Sequence, residues 1–228
     1  MTSFIQCVNG KPNRSERFRY MKVLLKPQFN RNYYIHTHAL VDEGVKIGQR
    51  TRVWAFAHIL TGAVIGDDCN ICDHTFIEGK VVVGDRVTIK CGVYLWDGVT
   101  VEDDVFIGPA AVFTNDLKPR SRQDFNLVET LLKQGCSIGA NSTIVGGIVI
   151  GAWSLIGAGS IVTKDVPDYG VVWGNPAKFQ YWICRCTRKM AFDNAGEFVC
   201  ECGEIYKLNP ETKKPELVVK ELSNRSAI

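Results

Sequence analysis

No apolar run in this chain approaches the roughly 18–20 residues that a membrane-spanning helix requires. The basic N-terminal stretch lacks the apolar run of a signal peptide, because Val23-Leu24-Leu25 is cut off by Lys26 and Pro27, so none is expected. Net charge is small, at +3, and 46% of residues are hydrophobic, which excludes a low-complexity disordered chain. Histidine is scarce, with four in 228 residues. A cytoplasmic protein is expected, in which nine cysteines are reduced, metal-bound or simply packed. The length suits one ordinary domain with a small appendage.

What charge there is lies unevenly. Residues 1–34 carry Lys11, Arg14, Arg17, Arg19, Lys22, Lys26 and Arg31 against Glu16, about +6, so the remainder is about −3. A basic arm on a mildly acidic body can signal nucleic acid. The arm has no nucleic-acid motif, so a solvated extension, or extra sequence ahead of a start at Met21, is the expectation.

The dominant feature is a repeat. Aliphatic residues recur at every sixth position from Ile35 through Val41, Ile47, Val53 and onward to Ile107, then Phe113, and again at Ile138, Ile144, Ile150, Ile156 and Val162. Two residues before each stands something small or β-branched, such as Ala57, Ala63, Cys69, Thr75, Val81, Ser142 or Ser154. Gly often follows, as at Gly48, Gly66, Gly84, Gly139 and Gly151. A period of six fits neither a helix at 3.6 nor an alternating strand at 2; it matches the hexapeptide β-helix. Each hexad supplies a short parallel strand and a turn, and three hexads close a triangular coil of 18 residues. Nineteen hexads give about six coils, spaced by roughly 4.8 Å.

Three stretches leave the repeat: the arm 1–34, an excursion at 114–137, whose Thr114–Gly135 (TNDLKPRSRQDFNLVETLLKQG) ends in a helical-looking run, and a tail, 166–228, beyond the coil body 35–165. Both ends of a solenoid expose unpaired strand edges, so arm and tail are expected to act as caps, the tail as a β-hairpin and helix. A long excursion from a compact solenoid is usually functional.

Because residues 18 apart stack, Glu78, Trp96 and Thr114 form one column, with Asp97 and Asn115 in the next and Asp116 beside them. Turns favour Asp and Asn regardless of function, yet an exposed Trp at such a corner argues for a ligand. His38 and His74 share a column two coils apart, about 10 Å, too far for one metal ion. His58, beside the inward Ile59, is either a general base or a packing histidine. Ala140 and Ala158 stack, as do Gly146 and Lys164, so an extended ligand can lie against the coil there, with Lys164, Lys178 and Arg185 available to phosphates.

The segment CNICDHTFIEGKVVVGDRVTIKCGVYLWDGVTVEDDVFIGPAAVFTNDLKPRSR resembles the nucleotide-sugar 3-N-acetyltransferases, most nearly those acting on dTDP-3-amino-3,6-dideoxyhexoses. The later IGANSTIVGGIVIGAWSLIGAGSIVTKDVPDYGVVWGNPAK is similar to the coenzyme A half of hexapeptide acyltransferases, so the likeness covers roughly residues 35–180. A sister group acting on UDP-linked 3-amino glucuronates usually shows two histidines around Trp54 and an Asn pair at Cys91-Gly92. Here Ala55 replaces the first histidine, which favours the deoxyhexose group. The resemblance implies an all-β, left-handed parallel β-helix, a homotrimer with sites between subunits, and acetyl-CoA as co-substrate.

Acetyl transfer to an amine implies its direct attack on the thioester, with His58, His74, Asp97 and Asn115 as catalytic candidates, the two histidines as general bases; the resemblance to the deoxyhexose group implies instead turnover without a dedicated side-chain base. Glu78, Trp96, Asp97, Asn115, Asp116, Arg120 and Arg122 are the candidates for binding the nucleotide sugar; the two arginines suit its pyrophosphate. Ala140, Gly146, Ala158, Lys164 and Lys178 are the candidates for coenzyme A. Metal-dependent lyase chemistry would need three converging histidines, which the columns do not supply, and a non-enzymatic scaffold leaves Trp96 and the charged corner unexplained.

Four cysteines fall in the tail, as Cys184-Arg-Cys186 and Cys200-Glu-Cys202, around a DNAG turn in MAFDNAGEFV expected to form a hairpin. A structural zinc is one expectation, although such sites usually place two to four residues within each pair and here there is one. A hairpin cap with free thiols is the other. Cys69, Cys72, Cys91 and Cys136 occupy repeat positions, where cysteine acts as a small apolar residue.

Overall fold

A computed structural model describes residues 28–218 apart from Arg31 and Phe125. Most of the basic arm and the last ten residues of the tail lie outside the described residues. The described chain is built from short strands, mostly of two residues, and contains no helix. Two residues cannot hold a strand alone, so every coil depends on the next. The N–H of Arg52 donates to the Cys69 carbonyl, that of Asn70 to Val87, and that of Thr88 to Val105, each over 2.8–2.9 Å.

Three parallel ladders result. The first face runs from Tyr33–Ile35 through Arg52–Val53, Asn70–Ile71, Thr88–Ile89, Phe106–Ile107, Ser137–Ile138 and Leu155–Ile156 to Gly170–Gly174. The second carries seven strands from Leu40–Val41 to Ile161–Val162, and the third six, from Lys46–Ile47 to Val149–Ile150. The eight parallel strands of the first face make about eight turns rather than six, and Leu132 and Val172 add inward positions to the nineteen of the repeat. The inward residues stack in register, Val53 on Ile71 on Ile89 on Ile107, and are removed from solvent. The small positions before them are buried too. Where such a residue has a hydroxyl, it is spent locally: Thr75 donates to the Cys72 carbonyl at 2.7 Å, and Ser142 to Gly139 at 2.7 Å. Among the described residues no buried side-chain polar atom lacks a partner.

The corners explain the glycines. A Cβ on Gly66 would stand 2.5 Å from the Gly84 carbonyl oxygen, so the coil-to-coil spacing itself excludes a side chain there. Other corner residues sit at positive φ without being Gly, Asn or Asp, among them Phe56, His74, Arg86 and Trp153. Their side chains point outward, where neighbours in the stack compensate the strain: Arg86 forks onto Asp104 at 2.6 and 3.0 Å. Between the third and first faces the carboxylates of Asp67, Asp85 and Asp103 each accept the N–H of the residue one coil back, Gln49, Asp67 and Asp85, over 2.7–2.9 Å.

Both ends of the first face close with antiparallel pairs, Gln28–Asn30 on Tyr33–Ile35 and Gly170–Gly174 on Ala177–Trp182. The excursion ends differently from expectation. Its helical-looking run is the strand Thr130–Leu132, in ladder with Val99–Val101, because the inward phase resumes at Leu132 and burial overrides the local pattern. The tail cap has no helix among its described residues. It is a three-stranded antiparallel sheet of Glu197–Val199, Ile205–Leu208 and Pro215–Leu217. The DNAG turn forms, closed by the Gly196 N–H on the Asp193 carbonyl at 3.0 Å. The hairpin, however, lies beyond it, between Glu197–Val199 and Ile205–Leu208.

Replacing a central inward residue should be costly and an outward one cheap. Ile89→Ala is expected to lower stability by about 2–5 kcal/mol, and Val82→Ala, half exposed on the third face, by less than about 0.5 kcal/mol. Denaturant titration of both variants checks the contrast.

Candidate active site

The second face carries an aromatic strip. His58, Phe76 and Tyr94 occupy successive outward positions, with ring centroids 5.6 and 6.2 Å apart, and Trp96 leans on Phe76 at 5.6 Å. Along the neighbouring corner His38, Phe56 and His74 stack nearly parallel, at 5.6 and 5.0 Å. The phenyl ring thus fills the gap between the two histidines of that column. Phe56, His58, His74, Thr75, Phe76, Tyr94 and Trp96 enclose a groove of about 360 Å³.

His58 has a partner that sequence reasoning missed. Its Nε2 lies 3.4 Å from Asp42 Oδ1, and both side chains are about a third exposed. Asp42 sits one coil back and two positions further along, on the same outward side, because residues two apart in a strand share a face. Column arithmetic extended by that offset would have found it. Gly92 stands one coil above His74, and a Cβ there would meet nothing within 4 Å, so the corner is open beyond the stack.

The charged corner is assembled as expected but is more occupied. Glu78 accepts the Asp97 N–H at 2.6 Å, Asp97 accepts the Lys80 N–H at 2.8 Å, and Asn115 donates to the Asp97 carbonyl at 3.2 Å. Trp96 is not the exposed indole expected. It is half-buried against the core, and its N–H is spent on the Phe113 carbonyl at 3.0 Å. Asp116 accepts the Lys118 N–H at 2.8 Å at the base of the excursion, whose Arg120 and Arg122 are exposed.

At the far end of the coil, Lys164 and Lys178 line one cavity of about 380 Å³ with Thr163, Pro167, Pro176 and Phe179. Ala140 and Ala158 occupy the corner between the first and second faces. No carboxylate ladder runs along it, and neither residue's N–H has a partner among the described residues. Two candidates are placed elsewhere. Gly146 is buried at the corner between the second and third faces, with its N–H held by Thr114 Oγ1 at 2.9 Å and Val128 packed over it, because the stem of the excursion covers that corner. Arg185 lies away from the cavity, with its guanidinium 4.8 Å from the Trp153 ring centre and 3.5 Å from Glu204.

Of the repeat-position cysteines, Cys69, Cys72 and Cys136 are buried but Cys91 is exposed, since it falls at a corner rather than on the inner wall. Burial pushes the Cys69 thiol up to about 11 and raises that of Cys136 further. The four tail thiols converge, with all Sγ atoms within 4.8 Å of one another.

A three-sided coil of hexads, with an aromatic groove on one face and a lysine-lined cavity near its far end, has the architecture of the hexapeptide-repeat proteins. The family model for bacterial transferase hexapeptides, six repeats, matches residues 44–79 and 129–164. The chain belongs to the left-handed β-helical sugar N-acetyltransferases of this family. Among its relatives, dTDP-3-amino-3,6-dideoxy-alpha-D-galactopyranose 3-N-acetyltransferase of Aneurinibacillus thermoaerophilus is 53% identical over 178 residues, 76% of this chain and 90% of that protein. The N-acyltransferase AntD of Bacillus cereus, solved as a variant with dTDP and coenzyme A, aligns with a TM-score of 0.51 at 22% identity, over 65% of this chain and 85% of that one. LpxA, a UDP-N-acetylglucosamine acyltransferase of Bacteroides fragilis, aligns at 0.55 and 19%, over 65% of this chain and 60% of its own. These two structures share the fold.

Thiol chemistry should follow burial. At pH 8, Cys91 is expected to be alkylated at least about tenfold faster than Cys69 or Cys136, whose raised pKa keeps the thiolate scarce. Peptide mass mapping over time measures the order.

Proposed function

We propose that this chain transfers the acetyl group of acetyl-CoA to the C3 amine of a dTDP-3-amino-3,6-dideoxyhexose. The observation that carries the proposal is the 53% identity to a relative of that name over 90% of its length. The groove adds chemical support. A neutral amine attacks the thioester carbonyl, a tetrahedral oxyanion forms, and its collapse expels the coenzyme A thiolate. The amine must lose a proton, and the thiolate gains one.

His58 accepts the amine's proton, with Asp42 orienting the imidazole and stabilising the imidazolium. His74 lines the same groove and is the second candidate. Phe76, Tyr94 and Trp96 offer an apolar wall to a sugar lacking a 6-hydroxyl. Glu78, Asp97, Asn115 and Asp116 hold the corner from which the excursion departs, and Arg120 and Arg122 on it take the pyrophosphate. At the donor end, the unpaired N–H groups of Ala140 and Ala158 receive the amides of the pantetheine arm. Lys164 and Lys178 meet its phosphates.

The groove is shallow, and exposed Leu40, Phe56, Tyr94 and Val112 lie along the same side. A homotrimer packing through this side, with each groove completed by a neighbour, accounts for both. Light scattering is expected to give about three times the 25.4 kDa chain mass; a monomer at working concentration would remove that part of the proposal.

A turnover screen of 3-amino nucleotide sugars with acetyl-CoA is the direct test. Acetylation of the dTDP-deoxyhexose is expected, and a preference for a UDP-linked 3-amino glucuronate would overturn the assignment. His58→Ala should lower kcat by about 10²–10⁴-fold, and Asp42→Asn by a smaller factor with KM for either substrate little changed. Near-normal turnover in a His58→Ala/His74→Ala double variant would eliminate a side-chain base. Lys164→Ala with Lys178→Ala should raise KM for acetyl-CoA while sparing KM for the sugar nucleotide.

A further inference from the structure

The tail cap stands apart from this chemistry, and its buried core is too small to be self-sufficient. Cys184, Met190, Cys200 and Tyr206 form its buried cluster, with Tyr169, Trp182, Phe192, Phe198 and Leu217 packed around them. Small units of this size usually need a staple.

The two cysteine pairs sit on two copies of one turn. In the first, the Cys184 N–H donates to the Arg188 carbonyl and the Thr187 N–H to the Cys184 carbonyl, both at 2.8 Å. In the second, the Cys200 N–H donates to the Glu204 carbonyl and the Gly203 N–H to the Cys200 carbonyl, again at 2.8 Å. The fourth residue of each has positive φ, 72° at Thr187 and 93° at Gly203. The tight turn overcomes the objection raised by spacing, because it aims both thiols of a pair to one side although only one residue separates them.

The four sulfurs then form a compact cluster. Cys184 Sγ is 3.5 Å from Cys202 Sγ, and Cys186 Sγ is 3.4 Å from Cys200 Sγ. A tetrahedral ion with bonds near 2.3 Å sets its ligand sulfurs about 3.8 Å apart. The buried Tyr206 hydroxyl lies 3.4 Å from Cys184 Sγ and bonds to Glu204.

We propose that Cys184, Cys186, Cys200 and Cys202 bind one structural zinc ion that pins the tail cap to the end of the coil. Four sulfur ligands close the coordination shell, leaving no open position for catalysis. Binding releases the thiol protons to solvent and changes no oxidation state. The attachment runs both ways from the ion: Arg185, between the first two ligands, covers Trp153 of the coil, and Tyr206 meets Tyr169 at 5.3 Å. Ile183, next to the first ligand, follows directly on the strand Ala177–Trp182, whose Lys178 and Phe179 line the donor-end cavity.

The full chain, purified without chelator or metal-affinity tag, should contain about one zinc and no iron by elemental analysis, and a mercurial should release it with about four thiol equivalents. Cobalt exchange should give thiolate charge-transfer and tetrahedral d–d bands. Cys186→Ser/Cys202→Ser, at the two exposed ligands, should lose the metal and render residues beyond 183 protease-sensitive while the coil's circular dichroism persists. Zinc far below one per chain, iron in its place, two disulfides in the intact mass, or full zinc in the double variant would each overturn the proposal. None of these readouts depends on acetyl transfer, so they stand whether or not the substrate assignment does.

Discussion

The coil body depends throughout on the coil-to-coil backbone ladder. Strands of two residues have no independent stability, and their N–H groups are satisfied only by the carbonyls of the next turn. The ladder fixes the coil spacing, and the spacing in turn demands an inward aliphatic column, small residues beside it, and glycine where carbonyls approach too closely for a Cβ. The core is therefore continuous along the axis, and the exposed ends must be covered. Antiparallel pairs at both ends of the first face do so.

With the inside so constrained, the variation lies at the corners and on outward positions. One corner is tied by the Asp67, Asp85 and Asp103 carboxylates and by paired arginines. The corner between the first and second faces lacks such a ladder. It carries instead the stacked rings of His38, Phe56 and His74 at one end, and the unpaired N–H groups of Ala140 and Ala158 at the other. The groove with His58 and Asp42 lies beside the first of these. The N–H groups of Ala140 and Ala158, without partners among the described residues, leave this edge chemically available to ligands.

The period of six made the coil legible directly, including the burial of Ile59, Ile89 and Ile107 and the stacking of Trp96 near Asp97 and Asn115. Three kinds of error had physical causes. The run near Leu131 looked helical, but the pull of the inward position made it strand. Gly146 looked open to ligand, but the excursion's stem covers it, and the indole of Trp96 looked fully exposed, but its N–H is spent on the Phe113 carbonyl. His58 looked partnerless, because Asp42 reaches it across a coil, and contacts across coils at unequal offsets leave no local pattern.

By itself the sequence determined the repeat, the identity of the inward residues and the family resemblance, because each follows from residue type at a fixed spacing. The tertiary structure alone decided which outward side chains meet. The Asp42–His58 pair, the ring stack and the four tail thiols all join residues through turns and stacking. Linear spacing argued against those thiols sharing one ion. A pair of matching tight turns brought them together, since the direction of a side chain at a corner is set by backbone dihedrals rather than by residue count.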